Sequence, residues 1–251
     1  MTRFVKIPEN KVIIGSSEEA IEDTIIFWKN KLVDESYVLR FRDWLLKEFP
    51  RHQRSLKAFK IAKYPVTNGE FKEFIAEMNI RTPESISLKL PEDHPAWGMN
   101  YNEVETFLDW KSLKDDRSYR LPTEFEWEYA AAGTERLMYP FGSDFDSSKC
   151  NTVEANIGTT TSVYKYDNYP SDFGVCDLAG NVEEWTSSLY KPYPGGRFIN
   201  DDIIETNGLN YPVLRGGSFA LGGDLARCTR RHGPHPGPAF RYRGFRLAIS
   251  N

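Results

Sequence analysis

The stretch Asp177-Leu-Ala-Gly-Asn-Val-Glu-Glu-Trp185 decides the fold of this 251-residue chain. It combines separated carboxylates, a glycine, an asparagine and a tryptophan, and neither a helical nor a strand period accounts for that mixture. Backbone carbonyls around a glycine, flanked by acidic side chains, are the donors that a hard cation such as Ca²⁺ requires. We therefore expect a tight loop with a candidate cation site.

Helix signals are concentrated in the first half of the chain. Residues 17–50 have apolar side chains at near-helical spacing and are expected to form a helical insertion. A further helix is predicted from Asn100 through Trp110, and Gly133 is placed to end the last helix. Two capping boxes, each a threonine followed three residues later by a glutamate, predict helix starts at Thr67 with Glu70 and at Thr123 with Glu126.

The second half of the chain reads differently. Strands are predicted early, at 4–16 and 56–64, but after residue 134 the helical period is lost. Short apolar runs alternate there with Gly, Asn, Asp and Pro, which predicts irregular loops and short antiparallel strands. Residues 191–210 are expected to form a long surface loop. The whole chain, 1–251, is expected to be one α+β domain with little regular secondary structure.

Composition excludes several functional classes. The formal net charge of −4 and pI near 5.7 give no global attraction to nucleic acid or anionic membrane. No stretch approaches the roughly 20 apolar residues that span a bilayer. Three cysteines without a C-x-x-C pattern predict neither a disulfide framework nor a thiolate zinc site. The N-terminus lacks the apolar run of a signal peptide, so we expect a cytoplasmic location.

Arginine is concentrated near the C-terminus. Seven arginines and no lysine lie from Arg215 to Arg246, and Asp224 is the only acid among them. Two interpretations stay open. The arginines brace loops through carbonyl and carboxylate contacts, or they form a local surface that attracts anions.

Five stretches occur in an order that resembles a known signature. They are Tyr64-Pro-Val-Thr-Asn68, His94-Pro-Ala-Trp97, Arg120–Glu124 with Glu126–Ala130, Gly174–Trp185, and Arg215-Gly-Gly-Ser218 followed by Gly244-Phe-Arg-Leu247. Together they closely resemble the formylglycine-generating enzyme, or sulfatase-modifying factor, family. The resemblance covers most of the chain apart from the insertion at 17–50. It implies a C-type-lectin-like, loop-rich α+β fold.

Members of that family have different activities, so the resemblance leaves function open. One kind oxidises a substrate cysteine to formylglycine with copper held by two cysteines. Another is the sulfoxide synthase of ergothioneine biosynthesis, whose iron ligands lie on a separate N-terminal helical domain. A third kind comprises binding proteins, including the variable proteins of diversity-generating retroelements. Their binding surface is the mutable stretch between the Arg-Gly-Gly-Ser and Gly-Phe-Arg motifs.

The copper site of the oxidising members requires two thiolates, because soft sulfur ligands select Cu(I). By resemblance, the pair would occupy the positions of Leu221 and Ala226 in this chain. Cys228 matches a different position and is expected to be a small buried apolar residue. Formylglycine-generating oxidase activity is therefore not expected.

Iron would need histidine ligands. The four histidines do not form an H-x-x-x-H-x-E pattern, but His232 and His235 with Asp224 provide the donor types of a facial triad for Fe(II). The Pro/Gly loop around them does not fix both rings on one side. The other interpretation is a pair of exposed polar loop residues.

Calcium is the cofactor that the resemblance favours. It implies carboxylate ligands from Asp177 and Glu184 and carbonyl ligands from Gly180 and Val182. Hydrogen bonds within a tight loop are the other interpretation of these groups. Such an ion would be structural, because it orders a loop-rich half by binding only the folded state.

These observations favour a non-catalytic module that binds a protein or small-molecule ligand on its C-terminal loop surface, and not nucleic acid or membrane. The binding face would span 219–243, the stretch that varies in retroelement-diversified proteins. The alternative is a metal-dependent oxidative tailoring enzyme that uses non-haem iron or copper. The residues expected to contact the ligand are Phe219, Arg230, His232, His235, Phe240, Arg241 and Tyr242.

Overall fold

The structure, a computed structural model, describes residues 2–250. The helices of these residues are α1 (Glu18–Trp28), α2 (Val38–Leu46), α3 (Asn68–Met78), α4 (Glu84–Ser87), α5 (Tyr101–Asp115), α6 (Glu124–Ala132) and α7 (Asp202–Asn207). The strands are β1 (Phe4–Ile7), β2 (Asn10–Ile14), β3 (His52–Leu56), β4 (Phe59–Ala62), β5 (Glu183–Leu189), β6 (Pro212–Arg215), β7 (Arg243–Gly244) and β8 (Ala248–Ser250). The predicted loop-rich α+β fold is confirmed.

The strands form three small sheets, with orders β1-β4-β8, β2-β3 and β6-β5-β7. All pairs are antiparallel except β5 with β7, where Glu183 pairs with Arg243 in parallel. The prediction of antiparallel strands alone is therefore wrong at this position. A long excursion from residue 190 to 242 returns the chain in the same direction, which a hairpin cannot do.

The local helix signals are confirmed. Thr67 accepts a hydrogen bond from the Glu70 backbone N–H, and the Glu70 carboxylate accepts from the Thr67 backbone, which completes a capping box on α3. The same reciprocal pair forms between Thr123 and Glu126 on α6. Gly133 follows α6 with a φ of 67°, a left-handed value that glycine adopts without strain.

The insertion at 17–50 is a pair of helices. A turn around residues 29–37 separates α1 from α2, and the two helices contact each other. Trp28, Phe41 and Leu45 are buried in a core cluster with Tyr139 and Ala226 from the later half of the chain. The insertion therefore docks beside the C-terminal segment. None of the helices described for residues 2–250 is long and apolar enough to cross a membrane.

Residues 191–210 are not a plain surface loop, and that prediction is wrong. They contain α7, whose first turn is capped by Asp201 accepting from the Ile204 N–H at 3.2 Å. Ile203 and Ile204 are buried against Tyr211. Six residues are too few for a helical period to stand out in the sequence.

The Asp177–Trp185 segment is a tight, buried loop leading into β5. Gly180 has a φ of 77°, and a Cβ there would lie 2.0 Å from the carbonyl oxygen of Asn151, so no larger residue fits. The Asn181 side chain donates to the Thr161 carbonyl and accepts from the Thr161 N–H. These contacts tie residues 151–161 to the loop that precedes β5, the central strand of its sheet.

Most of the C-terminal arginines brace the scaffold through carbonyl and carboxylate contacts. This agrees with the first interpretation of the arginine-rich segment and not with an anion-attracting surface. Arg246 donates to the carbonyls of Ala62, Lys63, Cys176 and Asp177 and to both oxygens of Glu184. Five of the seven guanidinium groups are buried in this way or in ion pairs. They belong to Arg215, Arg227, Arg230, Arg231 and Arg246.

Candidate functional site

A cavity of about 90 Å³ lies between the helical insertion and the segment that follows α7. Its apolar lining comes from both sides, so the site exists only because the insertion docks there. The lining residues used below are Leu32, Val33, Tyr37, Trp44 and Lys47 from the insertion, and Asp202, Ile203, Asp224, Leu225, Arg230, His232, His235, Ala239 and Phe240 from the C-terminal part.

The seven residues expected to contact a ligand separate into two groups. Arg230, His232, His235 and Phe240 line the cavity together. Phe219, Arg241 and Tyr242 do not line it, and they form a separate cluster. The structure thus brings together four of the seven.

The second group is an aromatic cluster on the neighbouring surface. The ring centroids of Phe219 and Tyr242 are 4.2 Å apart, and those of Tyr242 and Trp97 are 4.8 Å apart. Phe219 is only 7% exposed, so its ring mainly supports Tyr242. Arg241 is exposed and lies 3.1 Å from the carboxylate of Glu84. Only Arg241 and Tyr242 are accessible to a partner here.

His232 and His235 are bonded to different carboxylates. His232 Nδ1 lies 2.7 Å from Glu183 Oε1, and His235 Nε2 lies 3.2 Å from Asp202 Oδ2. Asp224 faces Arg230 instead, at 3.9 Å. Within residues 2–250, no three His, Cys, Asp or Glu side chains converge on a point where a metal would sit. The three members of the candidate iron triad are not brought together.

His235 is held as a neutral imidazole. Its Nδ1 accepts a hydrogen bond from the Gly237 N–H at 3.0 Å, so the proton lies on Nε2 and points to Asp202. Burial lowers the pKa of His235 below its usual range. This ring therefore leaves the negative charge of Asp202 in place.

The insertion supplies site residues that the sequence did not reveal. Trp44 Nε1 donates to Asp202 Oδ1 at 3.1 Å, which joins α2 to α7 across the cavity mouth. Lys47 is buried behind it, paired with Asp201 and donating to the Tyr211 hydroxyl at 3.0 Å. Burial lowers the pKa of Lys47 to about 8. The only feature of the sequence that pointed to these site residues was the surplus of aromatic residues in the helical insertion.

The Asp177 segment has one carboxylate oxygen, Asp177 Oδ1, that is free to bind a cation. Asp177 is 6% exposed; its Oδ2 accepts from Asn181 Nδ2 at 2.8 Å, while its buried Oδ1 has no partner among the described residues. Burial raises the pKa of Asp177 to about 8. A nearby cation would keep this carboxylate ionised, so the side chain fits a calcium ligand.

Glu184 fits that role less well. Both of its oxygens accept from Arg246 at 2.6 Å, and Trp127 Nε1 donates to Oε2 at 2.9 Å. A guanidinium thus neutralises Glu184 inside the protein. Any calcium at this loop would share that carboxylate with Arg246 and would depend on Asp177 and on the Gly180 and Val182 carbonyls.

The positions of the family's copper ligands are apolar and buried. Leu221 is buried and lines the cavity, Ala226 lies in the interior, and Cys228 is fully buried in the same core cluster as Trp127. Burial raises the pKa of the Cys228 thiol well above its usual range. This thiol is therefore a protonated core residue.

The known proteins that are similar in sequence to this chain carry different names, and the names describe different activities. A hercynine oxygenase from Mycolicibacterium thermoresistibile is 28% identical in an alignment 257 residues long. The alignment covers 86% of this chain and 55% of that protein. The chain spans about half the length, or less, of the first curated relatives that it matches.

Two solved structures share the fold across nearly the whole chain. PvdO from Pseudomonas aeruginosa superposes with a TM-score of 0.71 at 21% identity, covering 99% of this chain and 94% of PvdO. Treponema denticola variable protein 1 gives a TM-score of 0.70 at 19% identity, covering 99% and 95%. The model of the sulfatase-modifying factor enzyme 1-like domain family matches residues 29–251, and the chain belongs to that family.

Proposed function

We propose that this chain is a non-catalytic recognition module that binds a small-molecule or protein ligand at the C-terminal part of the 219–243 stretch. One observation carries the proposal: four of the seven residues expected to contact a ligand converge with the docked insertion on a single cavity. A largely apolar concavity with a few convergent polar groups is the usual form of a ligand site.

The accessible part of the stretch is shorter than 219–243. Phe219, Arg230 and His232 are buried, whereas 234–243 is partly or fully exposed. Ligand contact would therefore centre on the cavity mouth at Ala239 and Phe240, with Arg241 and Tyr242 as a second contact surface.

Filling the cavity mouth tests this function. Ala239 is exposed and lines the cavity, so Ala239→Trp would place an indole in the opening without disturbing the core. Saturation-transfer NMR with a mixture of neutral, cationic and anionic fragments would compare this variant with the wild type. We expect some fragments to bind the wild type and to lose binding in Ala239→Trp.

The matched control is Ala76→Trp. Ala76 lies on the exposed face of α3, a helix that contributes no residue to the cavity lining. It should bind the same fragments as the wild type. Fragments that bind all three proteins equally, or that bind none, would contradict a ligand site in this cavity.

A diversity-generating retroelement variable protein is the finer version of this proposal. The fold shared with Treponema denticola variable protein 1 is compatible with it, although likeness at 19% identity concerns the fold alone. The test is a second, near-identical DNA repeat that differs from the 219–243 coding sequence mainly at adenines. Without such a repeat, an ordinary binding module remains.

The second candidate is a metal-dependent oxidative enzyme. The similarity to a hercynine oxygenase favours it, and His232 with His235 would be the iron ligands. Their separate bonds to Glu183 and Asp202 count against a shared metal. Iron analysis after anaerobic loading with Fe(II) would decide: stoichiometric iron that is lost in the His232→Ala/His235→Ala double variant would favour the enzyme.

We also propose a structural calcium ion at Asp177, and a cytoplasmic location. The unpartnered, buried Oδ1 of Asp177 supports the first. Calcium titration calorimetry after chelation would test it, and the absence of heat from binding would contradict it. The second rests on composition and would be tested by cell fractionation.

A further inference from the structure

Asp224 is a buried carboxylate without a hydrogen bond. It is 6% exposed and lines the cavity. Among the described residues, Arg227 Nε donates to the backbone carbonyl of Asp224 at 3.1 Å, and no donor lies within hydrogen-bond distance of its carboxylate. The nearest cationic atom is Arg230 Nε, at 3.9 Å, which exceeds hydrogen-bond distance. Arg230 is 3% exposed, and its Nε also has no partner. Such a pair is costly to bury unless another polar group joins it.

A second acid lies behind Asp224. Glu154 Oε1 accepts from the Gly223 N–H at 2.9 Å, while its Oε2 is buried and has no partner among the described residues. Burial raises the pKa of Asp224 above its usual range; the charges of Arg230 and Arg227 oppose that rise, and the charge of Glu154 adds to it. Asp224 is therefore a lining carboxylate without a hydrogen-bond donor, and Glu154 adds negative charge behind the lining.

The neighbouring cationic and imidazole groups are already bound elsewhere. Lys47 is paired with Asp201, and His232 Nδ1 is within hydrogen-bond distance of Glu183 Oε1. His235 donates to Asp202 as a neutral ring. Lys47 and Arg230 are the cations of the lining; because Lys47 is paired with Asp201, Arg230 is left as the counter-charge of Asp202 and Asp224, and it lies within 4 Å of Asp224 only. The cavity lining thus has an excess of negative charge, which a ligand with one positive charge would offset.

The rest of the lining is hydrocarbon and aromatic. Leu32, Val33, Ile203, Leu225 and Phe240 form the walls, and the rings of Tyr37 and Trp44 stand beside the mouth. A volume of about 90 Å³ has room for only a few non-hydrogen atoms. The occupant must therefore be short and must carry its charge on one end of an apolar body.

Resting on the proposed ligand-binding function, we infer that this cavity binds a small organic cation: a protonated primary amine with a short aliphatic group. Its ammonium group would meet the carboxylate of Asp224. Its hydrocarbon would lie against Leu225 and Phe240. The ammonium donors would fill the unmet acceptor at Asp224, and aromatic faces at the mouth favour a cation electrostatically.

Three probes of matched shape separate charge from size: isopentylamine, isopentanol and isovalerate. The reporter is the indole N–H of Trp44, which donates to Asp202 at the cavity mouth and is followed by ¹H–¹⁵N NMR, assigned with Trp44→Phe. At matched ionic strength, we expect isopentylamine to bind at least about tenfold more tightly than isopentanol. Isovalerate should bind most weakly of the three.

Asp224→Asn keeps the shape of the side chain and removes its charge. It should weaken isopentylamine binding by at least about tenfold and leave isopentanol binding unchanged. Asp109→Asn, on the exposed face of α5, is the matched control and should change neither. Thermal melting of both variants checks that they are folded.

Equal affinities for amine and alcohol, tighter binding of isovalerate, or unchanged amine binding in Asp224→Asn would each overturn the inference. So would the absence of any Trp44 shift with the amine. The recognition function is judged separately, by the fragments that Ala239→Trp displaces. If neutral or anionic fragments bind there and the amine does not, the module stands and the cation inference falls.

Discussion

Arg230 and Arg231 are adjacent in the chain and lie in opposite environments. Arg231 donates through Nε and Nη2 to Glu124 at 2.7 and 2.8 Å and through Nη1 to the Lys47 carbonyl at 2.9 Å. Arg230 donates through Nη1 to the carbonyls of Trp44 and Arg231, but its Nε has no partner and faces Asp224 at 3.9 Å. The ion pair raises the pKa of Arg231, whereas burial lowers that of Arg230.

The difference separates scaffold from site. Where a buried guanidinium is hydrogen-bonded directly to a buried carboxylate, as in Arg231 and Arg215, the group is part of the framework, and loss of that carboxylate leaves a buried charge behind. Where donors and acceptors stay unmet beside a cavity, a ligand or solvent is the missing partner. Arginine content alone does not distinguish the two cases.

The largest expected effect comes from breaking the Arg231 side. Glu124 also accepts from Arg215 at 2.8 Å, so Glu124→Gln leaves the buried Arg231 without its counter-charge and Arg215 with Glu128 alone. We expect a loss of about 3–5 kcal/mol in the free energy of unfolding, measured by urea titration. Glu135→Gln, an exposed site, is the control and should change stability little. A loss below about 1 kcal/mol for Glu124→Gln would contradict the scaffold role.

Asp177 tests whether an unmet acceptor marks a cation site. Its pKa of about 8 in the folded state exceeds the ordinary value of 3.8, so the folded state binds the proton more tightly. With calcium chelated, stability should fall as pH rises through the window between these values, by about 2–3 kcal/mol from pH 5 to pH 7.

Calcium should remove that dependence, because the bound ion favours the ionised carboxylate. Asp177→Asn should show no such slope in chelator, since its amide does not titrate. Thermal and urea unfolding across this pH range measure both. A wild-type stability in chelator that is flat from pH 5 to pH 7 would count against the unmet acceptor.

Asp224→Asn sharpens the contrast with Glu124→Gln. Because Asp224 accepts no hydrogen bond and burial disfavours its charge, the neutral amide should cost less than about 1 kcal/mol at pH 7 or should stabilise the fold. Urea unfolding beside Asp109→Asn gives the value. A cost as large as that of Glu124→Gln would mean that Asp224 belongs to the framework.

Arg241 gives the smallest expected effect. Its ion pair with Glu84 is exposed, so Arg241→Ala should change the free energy of unfolding by less than about 0.5 kcal/mol. Arg227→Ala, which removes a buried partner of Glu48, is the contrasting variant. Similar losses in the two would show that burial does not separate the arginines.

Local signals in the sequence were sufficient for the parts of the fold that depend on near neighbours. The capping boxes at Thr67 and Thr123 join residues three positions apart, and both are confirmed. The ordered motifs identified the family. The tight loop around Gly180 was also predicted, but the close approach of the Asn151 carbonyl to Gly180 is a long-range contact that the sequence does not reveal.

The site depends on distant neighbours, and there the sequence was less informative. Trp44 and Asp202 are 158 residues apart, and no periodicity relates them. The same holds for Arg231 and Glu124, whose pairing decides that Arg231 faces the core and Arg230 the cavity. The 219–243 stretch is continuous in sequence, but its division between cavity, aromatic cluster and interior depends on tertiary packing.

A crystal structure that resolves ordered solvent would test the central claim most directly. We predict that Asp224 and Arg230 Nε remain apart and that ordered water or a bound ligand donates to Asp224 within the cavity, while Arg231 stays fully bonded to Glu124 and the Lys47 carbonyl. A direct hydrogen bond between Asp224 and Arg230, with the cavity closed around it, would contradict the distinction between scaffold and site.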